Sequence, residues 1–287
     1  MKPTLNFKRM TMLALVAMGS LVSCKSSTEP TETIGQQAYD SQASADVTAA
    51  AIGTKTDGAG AILTDAWTLG NGGTVSSSAE LGKDSPQSRD TSYDPNTKVH
   101  TITFTRNYSA NGYTISGRHV YTYVFYDASG NAMEGWIKGT TDKLVITEVG
   151  NHNAATPRAT VADSSNGNWT IVGFATQAPV LNGSFTRSGQ STLNTPWNPG
   201  RTITHTFTIN YTNDAFNRAQ DGDIYLTGNA NSSFAATSPK GNFTRTAQIT
   251  FNNDQTATLN VTRTSGNGTV DTYTIDVKQG FWLRDGR

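Results

Sequence analysis

The sequence predicts an all-β protein, either an extended antiparallel meander sheet or a β-sandwich, with one short helix ahead of it. Three observations lead there. Strand-length segments alternate apolar and polar residues with a period of two. Thr, which is β-branched and favours extended backbone, makes up roughly one residue in six. Turn signals built from Gly, Asn, Asp and Pro recur between the alternating segments.

The first segment of the chain has a different character. Lys2, Lys8 and Arg9 precede an apolar run, Met10–Gly19, that is broken only by Thr11. The run is far shorter than the roughly 20 apolar residues of a membrane-spanning helix, so residues 1–23 read as an export signal. Leu21-Val22-Ser23-Cys24 closes it. This tetrapeptide resembles the lipobox of bacterial lipoproteins, where a Leu, two small or apolar residues and a Cys are recognised by the lipoprotein signal peptidase. The resemblance implies cleavage before Cys24, a diacylglyceryl group on its thiol and a further acyl chain on its amine. Each buried methylene contributes about 0.8 kcal/mol, and two chains suffice for stable anchoring. The membrane is then a partner through lipid alone. Lys25, where enteric bacteria use Asp to retain such proteins at the inner membrane, implies the outer membrane. Cys24 is the only cysteine, so an intrachain disulfide is impossible.

Removing residues 1–23 takes three basic groups from the 22 Lys+Arg and none from the 22 Asp+Glu. The remainder is close to neutral, so neither nucleic acid nor an anionic membrane surface is an evident partner. Residues 25–33 hold no apolar side chain and read as a polar tether. Ile34, Ala38, Ala45, Ala49 and Ile52 then fall near helical spacing and predict one short helix over 34–52. Gly53–Gly60 reads as a linker. Residues 24–60 thus form a lipidated leader, tether and helix, and 61–287 form the β domain.

Within that domain Ile203, His205, Phe207, Ile209 and Tyr211 point one way, and Thr202, Thr204, Thr206, Thr208 and Asn210 the other. His100, Ile102, Phe104 and Tyr108 alternate with Val99, Thr101, Thr103 and Thr105. Ala257, Leu259 and Val261 form another inward set, and Tyr273, Ile275 and Val277 a fourth. His119–Tyr126 is apolar or aromatic on both faces and reads as a strand buried on both sides. Turns are expected at Asp94-Pro95-Asn96, Asn111-Gly112, Ser129-Gly130-Asn131, Asn166-Gly167-Asn168, Asn182-Gly183, Asn198-Pro199-Gly200, Asp221-Gly222-Asp223 and Gly266-Asn267-Gly268. Thr101–Tyr108 echoes Thr204–Tyr211, which leaves two readings open: two similar β units, or Thr-rich strands that resemble one another by composition.

Thr101-Ile102-Thr103-Phe104 and Ser116-Gly117-Arg118, downstream of a lipobox and a polar leader, resemble a group of exported β lipoproteins familiar from Bacteroidetes and related bacteria. The resemblance covers about residues 95–126 and implies a cell-envelope location and a β architecture. It brings no catalytic residue with it.

Candidate chemistry is sparse. A serine hydrolase needs a His and an orienting carboxylate. His100, His119, His152 and His205 are the four histidines, and no G-x-S-x-G elbow accompanies them. No close pair of His suggests zinc. Asn217–Asp223 offers oxygen ligands around a Gly but lacks the acidic pattern of a calcium loop, so it reads as a hairpin turn. Glycosidase carboxylates cannot be paired from sequence. Of Trp67, Trp136, Trp169, Trp197 and Trp282, only Trp197 lies in a rigid turn, Pro196-Trp197-Asn198-Pro199-Gly200, where an exposed ring could stack on a sugar. The expectation is a lipid-anchored envelope protein with a structural or interaction role, not an enzyme, and with no cofactor. Its lipid site is Cys24. A surface glycan-binding module using Trp197 is the alternative, another envelope protein is a further possible partner, and an envelope hydrolase stands third.

Overall fold

The computed structural model describes residues 34–56, 58–70, 88–110, 112–176, 178–218, 224–263 and 268–283. The lipobox and Cys24 lie outside them. Helix α1 (Ile34–Ile52) matches the expected helix, and a second helix, α2 (Ala59–Gly70), takes residues 61–70, where the β domain was expected to begin. Ala59, Ala61, Ile62 and Leu63 are buried in α2, so an apolar stretch at the domain's edge becomes a second helix packed on the sheet.

Thirteen strands follow: β1 (Ser88–Asp94), β2 (Val99–Ala110), β3 (Tyr113–Asp127), β4 (Ala132–Met133), β5 (Thr141–Ala155), β6 (Ala159–Val172), β7 (Val180–Thr195), β8 (Asn198–Arg218), β9 (Ile224–Ser238), β10 (Gly241–Phe251), β11 (Thr256–Thr262), β12 (Val270–Asp276) and β13 (Phe281–Leu283). They form one antiparallel meander in chain order, with two-residue β4 beside β3 off the main path. The sandwich alternative is therefore replaced by a single layer. β2 and β8, which carry the sequence echo, are five antiparallel steps apart and so run in opposite directions.

The period-two pattern places the core. Ile203, His205, Phe207, Ile209 and Tyr211 are buried on the inner face of β8. Ile102, Phe104, Ala257, Leu259, Val261 and Ile275 occupy the same face of their strands. The outer face presents Thr, Ser and Asn, several of which bond across strands: Thr186 to Thr208 at 3.2 Å, Thr192 to Thr202 at 3.0 Å and Ser188 to Thr206 at 3.1 Å. In β3, His119, Tyr121, Tyr123 and Phe125 are buried, while Val120, Thr122, Val124 and Tyr126 are only half-buried. The strand is covered on one side because the sheet is a single layer.

Three expected turns lie inside strands. Asn166-Gly167-Asn168 belongs to β6, Asn182-Gly183 to β7 and Asn198-Pro199-Gly200 to the start of β8, the turn before it being Pro196-Trp197. At Gly167 the backbone stays extended because the fully buried Trp169 lays its ring where a Cβ would stand. The glycine serves close packing.

α1 is buried around nearly its whole girth. Asp40, Ser41, Ala43, Ser44, Ala45, Val47, Thr48, Ala49, Ala51 and Ile52 are all inaccessible to solvent. The sheet curves so that β7, β8 and β10 to β13 all contact it, and α2 extends the filling towards β3 and β9. Small Ala, Ser and Thr side chains let strands approach from several sides at once, which a Leu-rich helix would prevent.

Gly167→Ala should cost about 1–3 kcal/mol by overpacking the Trp169 ring. Gly135→Ala, where a Cβ meets nothing within 4 Å, should leave stability nearly unchanged. Urea unfolding of both variants checks the contrast.

Candidate functional site

The inner face is not purely apolar. Glu148 is in phase with Leu144 and Ile146 on β5, Asp163 with Val161 on β6, and Arg187 with Phe185 on β7, so strand geometry carries these charges inward with the core residues. Each finds partners. His119 Nδ1 lies 2.7 Å from Glu148 Oε1, and Ser165 Oγ donates to the same oxygen at 2.8 Å. Gly150 stands between them, and a Cβ there would overlap both Glu148 and His119.

One strand further, Asp163 pairs with Arg187 Nε at 2.7 Å and with His152 Nδ1. Burial works against the charge of Asp163, but Arg187 and His152 outweigh it and hold the carboxyl below its ordinary range. Arg187 also donates through Nη1 to the Ala50 carbonyl at 3.1 Å, and Thr56 Oγ1 donates to that carbonyl at 2.7 Å. A guanidinium and a hydroxyl thus satisfy an end carbonyl of α1, where a cation also suits the helix dipole.

Two further anchors hold α1. Asp40 pairs with Arg201, and Arg245 Nη2 lies 3.8 Å from its other oxygen. Asp46 accepts the indole N–H of Trp197 at 3.2 Å and of Trp282 at 3.0 Å. Burial pushes the Asp46 carboxyl up to about 7, against the opposing pull of the two indoles, Arg158 and Thr195. Trp197, expected in an exposed turn, is therefore half-buried, with its ring 4.7 Å from that of Trp282 and Arg158 over both rings.

A cavity of about 30 Å³ lies among Asp46, Ala50, His152, Arg158, Arg187 and Phe281. Another, of about 10 Å³, lies among Asp46, Asp163, Arg187, Ser191 and His205. Each has room for about one water. Ser191 Oγ is 2.8 Å from His205 Nε2, and burial lowers the His205 pKa to about 4, so the ring is neutral at pH 7. His205 Nδ1 has no partner among the described residues, so no carboxylate orients this Ser–His pair. In the other pair Ser165 and His119 both face Glu148, which leaves the carboxylate between hydroxyl and imidazole. Neither has the order of a nucleophile–base–acid relay.

His100 Nε2 donates to the Glu134 carbonyl at 2.7 Å and its ring stacks on Tyr123 at 5.0 Å. Trp67, Trp136 and Phe174 pack ring to ring at the α2 end of the sheet, 4.9 to 5.3 Å apart. Asn217 donates to Ala215 O and Thr227 Oγ1 within β8 and β9, and the rest of the oxygen-rich segment, 219–223, lies outside the described residues. Comparison with family models, curated proteins and solved structures gives no match.

Sequence reasoning missed Asp40, Asp46, Glu148, Asp163, Arg187, Arg201 and Arg245 as interior groups. For the strand residues the signal was present: a charge at an inward phase of an alternating segment predicts a buried partner.

Arg187→Met should cost about 3–5 kcal/mol, because Asp163 stays buried with its main counter-charge removed. Adding Asp163→Leu should recover part of that loss. A denaturant double-mutant cycle measures the coupling, and additive losses would break the pairing.

Asp46 holds its proton more tightly when folded, so its contribution is complete below its ordinary pKa of 3.8 and is lost as pH rises towards about 7. The stability of the wild type relative to Asp46→Asn should therefore fall across that window by an amount on the order of a few kcal/mol, at 1.36 kcal/mol per pKa unit. Parallel pH–stability curves would show that Asp46 does not titrate there.

Proposed function

We propose that this chain is a lipid-anchored cell-envelope protein of the outer membrane, with a structural or interaction role and no catalytic one. The observation that carries the reading is Leu21-Val22-Ser23-Cys24 directly after a basic and then apolar segment, with a polar tether behind it. The fold is compatible with such an anchor. No described helix is long and apolar enough to cross a membrane. The outer face of the sheet carries Thr, Ser and Asn where a membrane-spanning barrel carries an apolar band.

The non-catalytic part rests on how the interior polar groups are used. Arg187, Arg201, Arg245, Asp40 and Asp46 hold α1 against the sheet, and the cavities beside them are water-sized. Among the described residues, the two cavities beside these groups each have room for about one water.

The test is lipid labelling in the producing bacterium. Labelled palmitate should enter the wild-type chain and not Cys24→Ala, and only the wild type should need detergent for release from membranes. Equal labelling of the two, or release of the wild type by salt alone, would refute the anchor. Turnover of an envelope polysaccharide that a single interior carboxylate change abolishes would refute the non-catalytic role.

A further inference from the structure

The antiparallel meander has two rims, and they differ. One rim holds the β2–β3, β5–β6, β7–β8, β9–β10 and β11–β12 connections, and the other holds the intervening ones and α2. α1 begins at the first rim. The Tyr39 carbonyl accepts from Asn198 at the start of β8 at 3.3 Å, and Asp40 pairs with Arg201 just beyond it. The Gln37 carbonyl faces Arg245, four residues into β10. The chain therefore enters the fold at this rim.

Nine residues, 25–33, separate Cys24 from Ile34. At about 3.3–3.6 Å each they span at most about 32 Å. β3 and β5, with 15 residues each, run the full distance between the rims, which at about 3.3 Å per residue is close to 50 Å. A lipid on Cys24 thus keeps the first rim near the bilayer, while the second rim reaches it only if the domain lies on its side.

Charge favours the upright arrangement. The connections at the first rim contain Arg158, Lys240 and Arg263, and Asp271, which flanks them, pairs with Arg263. The described connections at the second rim contain Glu134 and Asp254 against Lys98, Lys138 and Lys278, and acidic Asp94, Asp127 and Asp142 flank them. A basic rim is drawn to anionic headgroups and an acidic one is repelled. Tyr39, 43% exposed at the first rim, is a residue type suited to the bilayer interface.

We infer that the rim around the start of α1, bearing Tyr39, Arg158 and Lys240, docks on an anionic phospholipid surface and holds the sheet upright, with the α2 rim facing away. This inference rests on the lipid anchor proposed above. It leaves the Trp67–Trp136–Phe174 end as the part of the protein presented farthest from the membrane.

Because Cys24 is the only cysteine and its thiol carries the lipid, one added cysteine can be labelled alone. Asn242→Cys marks the first rim and Ser129→Cys the second, and both residues are exposed. The lipidated full chain, labelled with bimane, is placed in phosphatidylethanolamine–phosphatidylglycerol vesicles that contain a headgroup nitroxide lipid. Quenching should be about threefold or more stronger at 242 than at 129, given a rim separation near 50 Å. Equal quenching, or stronger quenching at 129, would overturn the docking while leaving the anchor intact. Failure of the wild-type chain to float with the vesicles would instead remove the anchor, and the docking with it.

Discussion

The fold depends on the enclosure of α1. A single-layer sheet of this breadth has one apolar face to cover; the described residues hold no second sheet, and a single cysteine can form no intrachain disulfide. α1 and α2 supply the cover. α1 can do so because it is built from Ala, Ser and Thr, over which strands from β7 to β13 approach closely. A narrow helix gives few large contacts, however, and its polar ends and side chains lose water. Arg187 at the Ala50 carbonyl, Arg201 and Arg245 at Asp40, and two indoles at Asp46 replace that water. Buried pairs of this kind contribute little more than apolar residues of the same volume, but an unmatched member is costly. Their effect is to select one rotation and one depth for the helix: a slip of one residue would strand two carboxylates and a guanidinium together.

The same logic shapes the strands that carry these groups. Charges on the inner face need lateral room, and Gly150 gives it to the Glu148–His119 pair. The outer face solves solubility differently. Charged residues are only 15% of the chain, and Thr, Ser and Asn replace them as the water-facing set. Hydroxyls that bond across strands also strengthen the ladder that holds neighbouring strands in register. At the exposed first strand, Asp90 and Asp94 place charge along an edge that would otherwise invite another strand.

Much of this was legible in the sequence, and the failures have definite causes. Alternation in 202–211 located β8 and its inward residues because one buried face imposes a period of two. The Ala-rich segment at 34–52 located α1, but its spacing suggested one apolar stripe. All-round burial follows from a sheet that wraps the helix, and no local pattern encodes that. Gly167 and Gly183 read as turns because Gly beside Asn usually marks one. Only the ring of Trp169, two residues on, shows why Gly167 continues a strand. Trp197 read as exposed because Pro flanks it, yet Asp46, 151 residues earlier, draws its indole inward. Pairings at that separation, like Arg187 with Ala50, arise from topology rather than from neighbouring sequence.

A polar interior ordinarily suggests an active site, and the pairing of these groups bears on that reading. Catalytic groups are left poised, with a proton or lone pair free to meet a substrate. In this interior the carboxylates of Asp40, Asp46, Glu148 and Asp163 already face guanidinium, indole, imidazole or hydroxyl donors. His205, whose Nδ1 has no partner among the described residues, is neutral at pH 7 and sits beside a cavity of about 10 Å³. Opening Asp40, Asp46 or Arg187 to another molecule means withdrawing α1, and with it the cover of six strands. Retention of the helix and any chemistry at these three groups are therefore in direct competition. What the protein offers to partners lies outside that interior, on a hydroxyl-rich outer face and on two rims of unlike charge.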